Sequence, residues 1–286
     1  MQRSDFRFLE RLRVRWAEVD LQGIVFNGHY LTYIDTAVTG FWRAMALPYE
    51  QTFQALGGEL FVRKAVLEYE GSAELDDQLE VGMRVQRIGN SSLVFEAAVL
   101  RGAKLLVRGE LVYVFADPVA RAALPVPQPL RDLLQAFADG EPMLDLKVGA
   151  WADLGAEARA IRRTVFIDEQ AIPAPLDEDA DDGKALHVLA RNRLGLALAT
   201  GRLGSADSEG VARIGRMAVL RPLRGGGIGV ALLQALAAAA RARGDKELRL
   251  LAQASAVPFY AAAGFRTLGL PFDEAGIEHL EMRRAP

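Results

Sequence analysis

The chemistry stated most plainly in this chain lies at residues 221–233, RPLRGGGIGVALL, where three consecutive glycines and a fourth after Ile228 sit between an apolar run and a helical pattern. Glycines let the main chain approach a ligand closely, and a helix start aims unpaired N–H groups and a positive dipole end at it. Such a loop suits phosphate, although a Gly-rich surface turn is the alternative that a lone loop leaves open. A second group is Asp20, in DLQGIVFNGHY, just ahead of a helix start whose amides Asn27, Gly28 and His29 are candidate donors. A carboxylate serves as nucleophile or general base, and oriented N–H groups stabilise negative charge as it forms. Asp20 beside Gly23 could equally build an Asx turn. A third group is Tyr260, a phenol able to donate a proton, or else a buried core aromatic. Glu169, in FIDEQAIPAPLDEDADDG, heads an acidic run that would ordinarily be a solvated loop.

The elements that must hold these groups are readable from periodicity. Leu31, Ile34, Val38, Phe41, Trp42 and Met45 recur at helical spacing, with Asn27 placed to cap the helix and Pro48 beyond its end. Downstream the period becomes two, at Leu79, Val81, Met83 and Val85, then Leu93, Phe95, Ala97 and Val99, then Leu105, Val107, Leu111, Tyr113 and Phe115. These predict half-buried antiparallel strands joined by GNSS and RGAK turns, with one long helix lying on the sheet. From about residue 117 a proline-rich connection runs to a boundary near residues 140–143, with a short helix over 130–137. The second half predicts a strand at 144–149, a helix at 152–166, strands at 185–190, 194–203 and 211–220, and the glycine loop. Beyond it come a helix ending before Gly244, a strand at 247–252 and a short helix at about 256–263.

With 286 residues, two domains are expected, 1–140 and 141–286, and no internal repeat relates them. A net charge of −3 leaves no electrostatic footprint for nucleic acid. The absence of cysteine excludes disulfides, thiolate zinc sites and a Cys nucleophile, and the three histidines, His29, His187 and His279, form no spaced metal pair, so no metal is expected. The first residues have no apolar h-region and no apolar stretch is long enough to span a bilayer, so a cytoplasmic location with no membrane partner is expected.

Residues 5–130, through D-x-x-G-I-V-x-x-x-x-Y from Asp20 to Tyr30, the amphipathic helix and the GNSSLVFEAAVLRG hairpin, resemble the hotdog-fold acyl-CoA thioesterases of the 4-hydroxybenzoyl-CoA thioesterase type. That resemblance implies that Asp20 is the catalytic carboxylate and that amides at the helix start form an oxyanion site. It also implies that sheets pair into a homodimer with active sites near the interface. Some members of the family carry His or Tyr where this chain has Asn27, and His29, two residues on, inherits no role from them. Arg224, Gly227 and Gly229 fit R-x-x-G-x-G. With the strand before it and F-Y-x-x-x-G-F after it, this pattern resembles the GNAT acetyltransferase superfamily across nearly the whole second half. The resemblance implies that Arg224, Gly225, Gly226, Gly227, Ile228 and Gly229 hold the pyrophosphate of acetyl-CoA. It further implies that main chain at Met217, Ala218 and Val219 pairs with pantetheine, that Tyr260 protonates the departing thiolate, and that Glu169 orients or deprotonates an acceptor amine. His279 is read as core or pocket lining.

The expected architecture is α+β in two domains, a hotdog followed by a GNAT fold. The expected function is bifunctional: acyl-CoA hydrolysis by the first domain, and acetyl or acyl transfer from CoA to an amine by the second. The rivals are a non-catalytic acyl-CoA-binding regulator, and a transferase whose hotdog half serves only for dimerisation.

Overall fold

A computed structural model describes residues 1–177, 180–274 and 276–286. The chain divides into two compact units, Met1–Met143 and Leu144–Pro286.

In the first unit β1 (Phe8–Arg13) leads to α1 (Asn27–Ala44), α2 (Tyr49–Leu56), β2 (Glu59–Tyr69), β3 (Gln78–Ile88), β4 (Ser92–Arg101), β5 (Lys104–Ala116) and α3 (Gln128–Ala138). The strands form one five-stranded antiparallel sheet in the order β1-β3-β4-β5-β2. Helix α1 packs on β1, β3 and β4, and its buried face is Tyr30, Tyr33, Ile34, Ala37, Phe41 and Trp42, the i, i+3, i+4, i+7 stripe of an amphipathic helix. Against it stand Leu79, Val81, Met83, Leu93, Phe95 and Leu111, all buried, as the period of two requires. The long helix on an antiparallel sheet is therefore present.

One local expectation is corrected. Asn27 is the first helical residue rather than the cap; Phe26 holds the cap position, and no side chain caps the helix. Pro48 lies beyond the end of α1 as expected and is also the cap residue of a second helix, α2. Strand β2 carries no alternation because most of its residues are exposed on both faces, which is what an edge strand paired only to β5 permits.

In the second unit β6 (Leu144–Ala150) is followed by α4 (Trp151–Arg162), a π-helical turn (Arg163–Glu169) and a short α5 (Ala174–Asp177). Then come β7 (Leu186–Asn192), β8 (Ala197–Ala206), β9 (Val211–Val219), α6 (Ile228–Arg243), β10 (Glu247–Gln253), α7 (Val257–Ala262), β11 (Arg266–Glu274) and β12 (Ile277–Arg284). The seven strands lie in the order β11-β12-β10-β9-β8-β7-β6, and every pairing is antiparallel except β9 with β10. The expected helix over 152–166 widens at Arg163 into the π turn, a distortion that recurs at functional sites. The strand expected at 194–203 starts later because Asn192 Oδ1 accepts the amides of Leu194 and Leu196, both at 3.0 Å, and folds that stretch into a turn.

Candidate active sites

Asp20 stands at the tip of a two-stranded loop. Val19 bridges Val25, the Asp20 amide donates to the Ile24 carbonyl at 2.9 Å, and the Gly23 amide donates to the Asp20 carbonyl at 3.0 Å. Its Oδ1 accepts the Gln22 amide at 2.8 Å, so the Asx turn is present, and it uses one of the two carboxylate oxygens. The loop is braced from beneath by Glu18, which is 4% exposed. Glu18 accepts the Arg15 amide at 2.8 Å, the Arg15 Nε at 2.7 Å and the Tyr33 hydroxyl at 2.7 Å. Burial opposes its ionisation, but the hydrogen bonds from Arg15 and Tyr33 outweigh burial and hold the carboxyl below the usual carboxylate range. Burial, with the Glu18 hydrogen bond second, pushes the Tyr33 phenol up, so it donates as a neutral group.

The Glu18 carbonyl also accepts the Phe26 amide at 2.9 Å, tying the loop to the start of α1. The His29 amide donates to the Phe26 carbonyl at 2.9 Å. Of the three candidate donors, Asn27 and Gly28 have no acceptor among the described residues, as befits the first turn of a helix. Tyr69 of β2 donates to the Asn27 carbonyl at 3.1 Å and holds this end of α1 to the sheet edge. The Asp20 loop and the first turn of α1 are thus joined through the Glu18–Phe26 hydrogen bond.

The second site is built on β9. Its parallel pairing with β10 covers only Val211, Ala212 and Arg213, opposite Glu247, Leu248 and Arg249. Beyond Arg213 the two strands share no register, so the β9 edge at Met217, Ala218 and Val219 faces a gap on the β10 side. A cavity of about 500 Å³ occupies this region, with Met217, Tyr260, Gln253, Phe166 and His279 among its walls.

At the C-terminal end of β9 the chain turns through Arg224 and the glycines into α6. Gly225 and Gly227 take φ of 82° and 85°, left-handed conformations that other residues adopt at a cost, and a Cβ on either would point into open space. Gly229 has a different reason: a Cβ there would meet the Phe259 ring at 3.3 Å, so it sets how closely α6 approaches α7. Among the described residues, no backbone or side-chain group of the chain accepts the amides of residues 225–230. With Gly227 as a cap that has no side chain, the helix start presents a bare nest of donors.

Arg224 is engaged by the protein itself. Its Nη1 and Nη2 donate to Glu169 Oε1 and Oε2 at 2.6 and 2.7 Å, and its Nε donates to the Val219 carbonyl at 3.0 Å. The Arg224 hydrogen bonds hold the Glu169 carboxyl below its usual range. Glu169 is absent from the cavity wall and is paired to the loop, a placement unlike the one expected for a group that takes a proton from an amine. Tyr260 does line the cavity, 9% exposed between Phe259 and Phe265, and burial pushes its phenol up to about 12.

His279 lines the same cavity as Tyr260, the pocket-lining one of the two readings stated for it. One feature was not anticipated. Behind the cavity wall, Arg162 is buried against Asp177 at 2.9 Å and Asp182 at 2.8 Å, and Asp182 also receives Arg202 at 2.8 Å. The acidic run therefore contains two buried structural carboxylates, a role that charge alone did not reveal. Its residues 178 and 179 lie outside the described residues. Among the described residues there is no cluster of three or more His, Cys, Asp or Glu able to hold a metal, and no helix long and apolar enough to cross a membrane.

Residues 152–285 match the model of the acetyltransferase (GNAT) domain, and residues 14–137 match that of the thioesterase-like superfamily. The uncharacterized N-acetyltransferase YjcF of Bacillus subtilis (strain 168) is 33% identical over 129 residues, spanning 45% of this chain and 90% of that protein. The acyl-CoA thioester hydrolase YbgC of Escherichia coli O6:H1 is 29% identical over 109 residues, 38% of this chain and 81% of that protein. A thioesterase from Thermus thermophilus, crystallised with coenzyme A and Zn, superposes with a TM-score of 0.42 at 24% identity, covering 49% of this chain and 98% of that one.

Proposed function

The chain belongs to the GNAT acetyltransferases through its second unit and to the thioesterase-like superfamily through its first, and from that premise we propose a bifunctional enzyme of CoA thioesters. The first unit hydrolyses acyl-CoA. The second transfers an acetyl or acyl group from CoA to an amine.

The observation that carries the transferase reading is the continuity of three parts: the bare amides of residues 225–230, the unpaired β9 edge and the cavity holding Tyr260. A pyrophosphate on the helix start would direct the pantetheine arm along Met217, Ala218 and Val219, bringing the thioester to the cavity. There the Tyr260 phenol, kept neutral by burial, donates to the sulfur as the thiolate leaves. Acetyl-CoA should raise the unfolding temperature of the full chain by mass action. Gly227→Val should abolish that protection, since valine resists the 85° φ and its side chain fills the space where the phosphates would lie. An unchanged protection in the variant would remove the loop from the CoA site.

For the hydrolase, support comes from the braced Asp20 loop beside the open amides of Asn27 and Gly28. The free Asp20 oxygen attacks the thioester or activates water, and the amides stabilise the oxyanion. Asp20→Asn is a clean test, because an asparagine oxygen can still accept the Gln22 amide while the carboxylate is lost. Release of free thiol from acyl-CoA should fall to background. Retained hydrolysis would mean that Asp20 only builds its turn, whereas a wild type that releases no thiol would leave the hotdog half as a dimerisation platform. Dimerisation itself is supported by β2, an edge strand with Phe61, Val62, Val66 and Tyr69 exposed, which a second copy would cover by continuing the sheet. A mass of about 62 kDa, twice the 31.1 kDa chain, is the expected result by light scattering.

A further inference from the structure

We infer that His279 is the general base that takes the proton from the acceptor amine in the second unit. The inference rests on the transferase reading, which leaves the base unassigned once Glu169 is found paired with Arg224.

The geometry is specific about which nitrogen would act. His279 Nδ1 lies 2.8 Å from the Ile277 carbonyl oxygen. A carbonyl can only accept, so Nδ1 carries the hydrogen, and in the neutral ring Nε2 is left with a bare lone pair. The ring is further held by stacking on Phe272, with centroids 6.1 Å apart and planes 27° from parallel. Another histidine of the fold shows the contrasting case: His187 uses its Nε2 on the Asp182 carbonyl at 3.0 Å, burial pushes it down, and it is not on the wall of this cavity.

His279 is also on the correct wall. Register places it on β12 opposite Gln253 of β10, and both line the cavity together with Tyr260 of α7. Gln253 is oriented by a hydrogen bond to Gln170 at 3.2 Å. Of the carboxylates on that wall, Asp177 is bound by Arg162, and Glu274 lies on the exposed end of β11. The charged groups that share the cavity with the ring are those two carboxylates and the guanidiniums of Arg202, Arg213 and Arg216.

The step balances as follows. His279 Nε2 takes one proton from the acceptor ammonium, and the free amine attacks the thioester carbonyl carbon. A C–N bond forms and the C–S bond breaks. The thiolate takes the Tyr260 proton, and the proton shed by the new amide nitrogen restores the phenol. The imidazolium proton leaves to solvent, so one proton is released per turnover.

The test uses the full chain. With 15N-histidine, the ring signals of His279, assigned by their loss in His279→Gln, should show the neutral ring as the tautomer with a protonated Nδ1 and a bare Nε2; a neutral ring protonated at Nε2 overturns the proposal. In kinetics, ethanolamine, lysine and glucosamine serve as ammonium acceptors, and hydroxylamine serves as an acceptor already unprotonated at neutral pH. His279→Gln should lower kcat/KM by about 100-fold or more for the ammonium acceptors, the usual scale of general-base catalysis. The acid limb of the wild-type pH profile should vanish, with KM for acetyl-CoA and its thermal protection unchanged. Loss with hydroxylamine should be far smaller. Equal loss with both acceptor types, or a variant that keeps the acid limb, overturns the assignment while leaving the transferase intact. If the wild type binds acetyl-CoA yet accepts none of the amines, the transferase reading fails and this one fails with it.

Discussion

Removing the carboxylate charge at Glu169 should tighten CoA binding, contrary to what its resemblance-based role implies. The Arg224 fork is occupied by Glu169 through two bonds, at 2.6 and 2.7 Å. A pyrophosphate arriving at residues 224–229 competes with that carboxylate for the same guanidinium. The side chains are 40% and 27% exposed, so the pair is partly solvated and worth about 0.5–1 kcal/mol. Glu169→Gln relieves this competition, and that energy corresponds to a gain of about two- to fivefold in CoA affinity. The advantage should be present at neutral pH, where the Arg224 hydrogen bonds keep Glu169 ionised, and should vanish as pH falls through its lowered pKa and the wild-type carboxyl is neutralised. It should also shrink as salt rises, because screening weakens the competing pair. Titration calorimetry with CoA at low and high salt provides the measurement. Equal or weaker binding by the variant at low salt would refute the reasoning and show that Glu169 stays on Arg224 and orients it in the complex.

Two other predictions concern stability. Arg162→Met removes the buried partner of Asp177 and leaves Asp182 with Arg202, and breaking such a pair costs about 3–5 kcal/mol. Denaturant melts of the full chain should show the loss, and hydrogen exchange should localise it to α4, β7 and β8. Glu18→Gln should destabilise the first unit at pH 7 by about 1.5–3 kcal/mol, the scale of hydrogen bonds to a charged group. Because the folded-state pKa of Glu18 is depressed, its contribution is complete above the unfolded value and is lost as pH falls through the folded one. The gap between wild type and variant should therefore close in acid; a gap that persists at low pH would assign the effect to packing instead.

Much of the molecule was legible wherever local physics dictates residue type. Left-handed turns at 225 and 227 demand glycine, an amphipathic α1 must place apolar residues three and four apart, and β3, β4 and β5 must alternate to bury one face. The helix on its antiparallel sheet and the glycine loop follow from such patterns, and the two fold families from the motifs that resemble them. Strand β2 was not legible, because an edge strand exposed on both faces has no alternation to betray it. The cap at Phe26 escaped because no side chain performs the capping.

The sites divide along the same line. By itself the sequence determined the main helices and strands by their periodicity, and its motifs carried the resemblance to the two architectures and named the candidate site residues, since those rest on spacing within a turn, a helix or a strand. Only the tertiary structure decided which groups meet. Glu169 is 55 residues from Arg224 yet is its partner, and His279 reaches the cavity of Tyr260 by strand register. The gap beside Met217 exists because β9 and β10 part after Arg213. Pairings of that kind depend on where separate elements pack, which residue spacing along one chain does not encode.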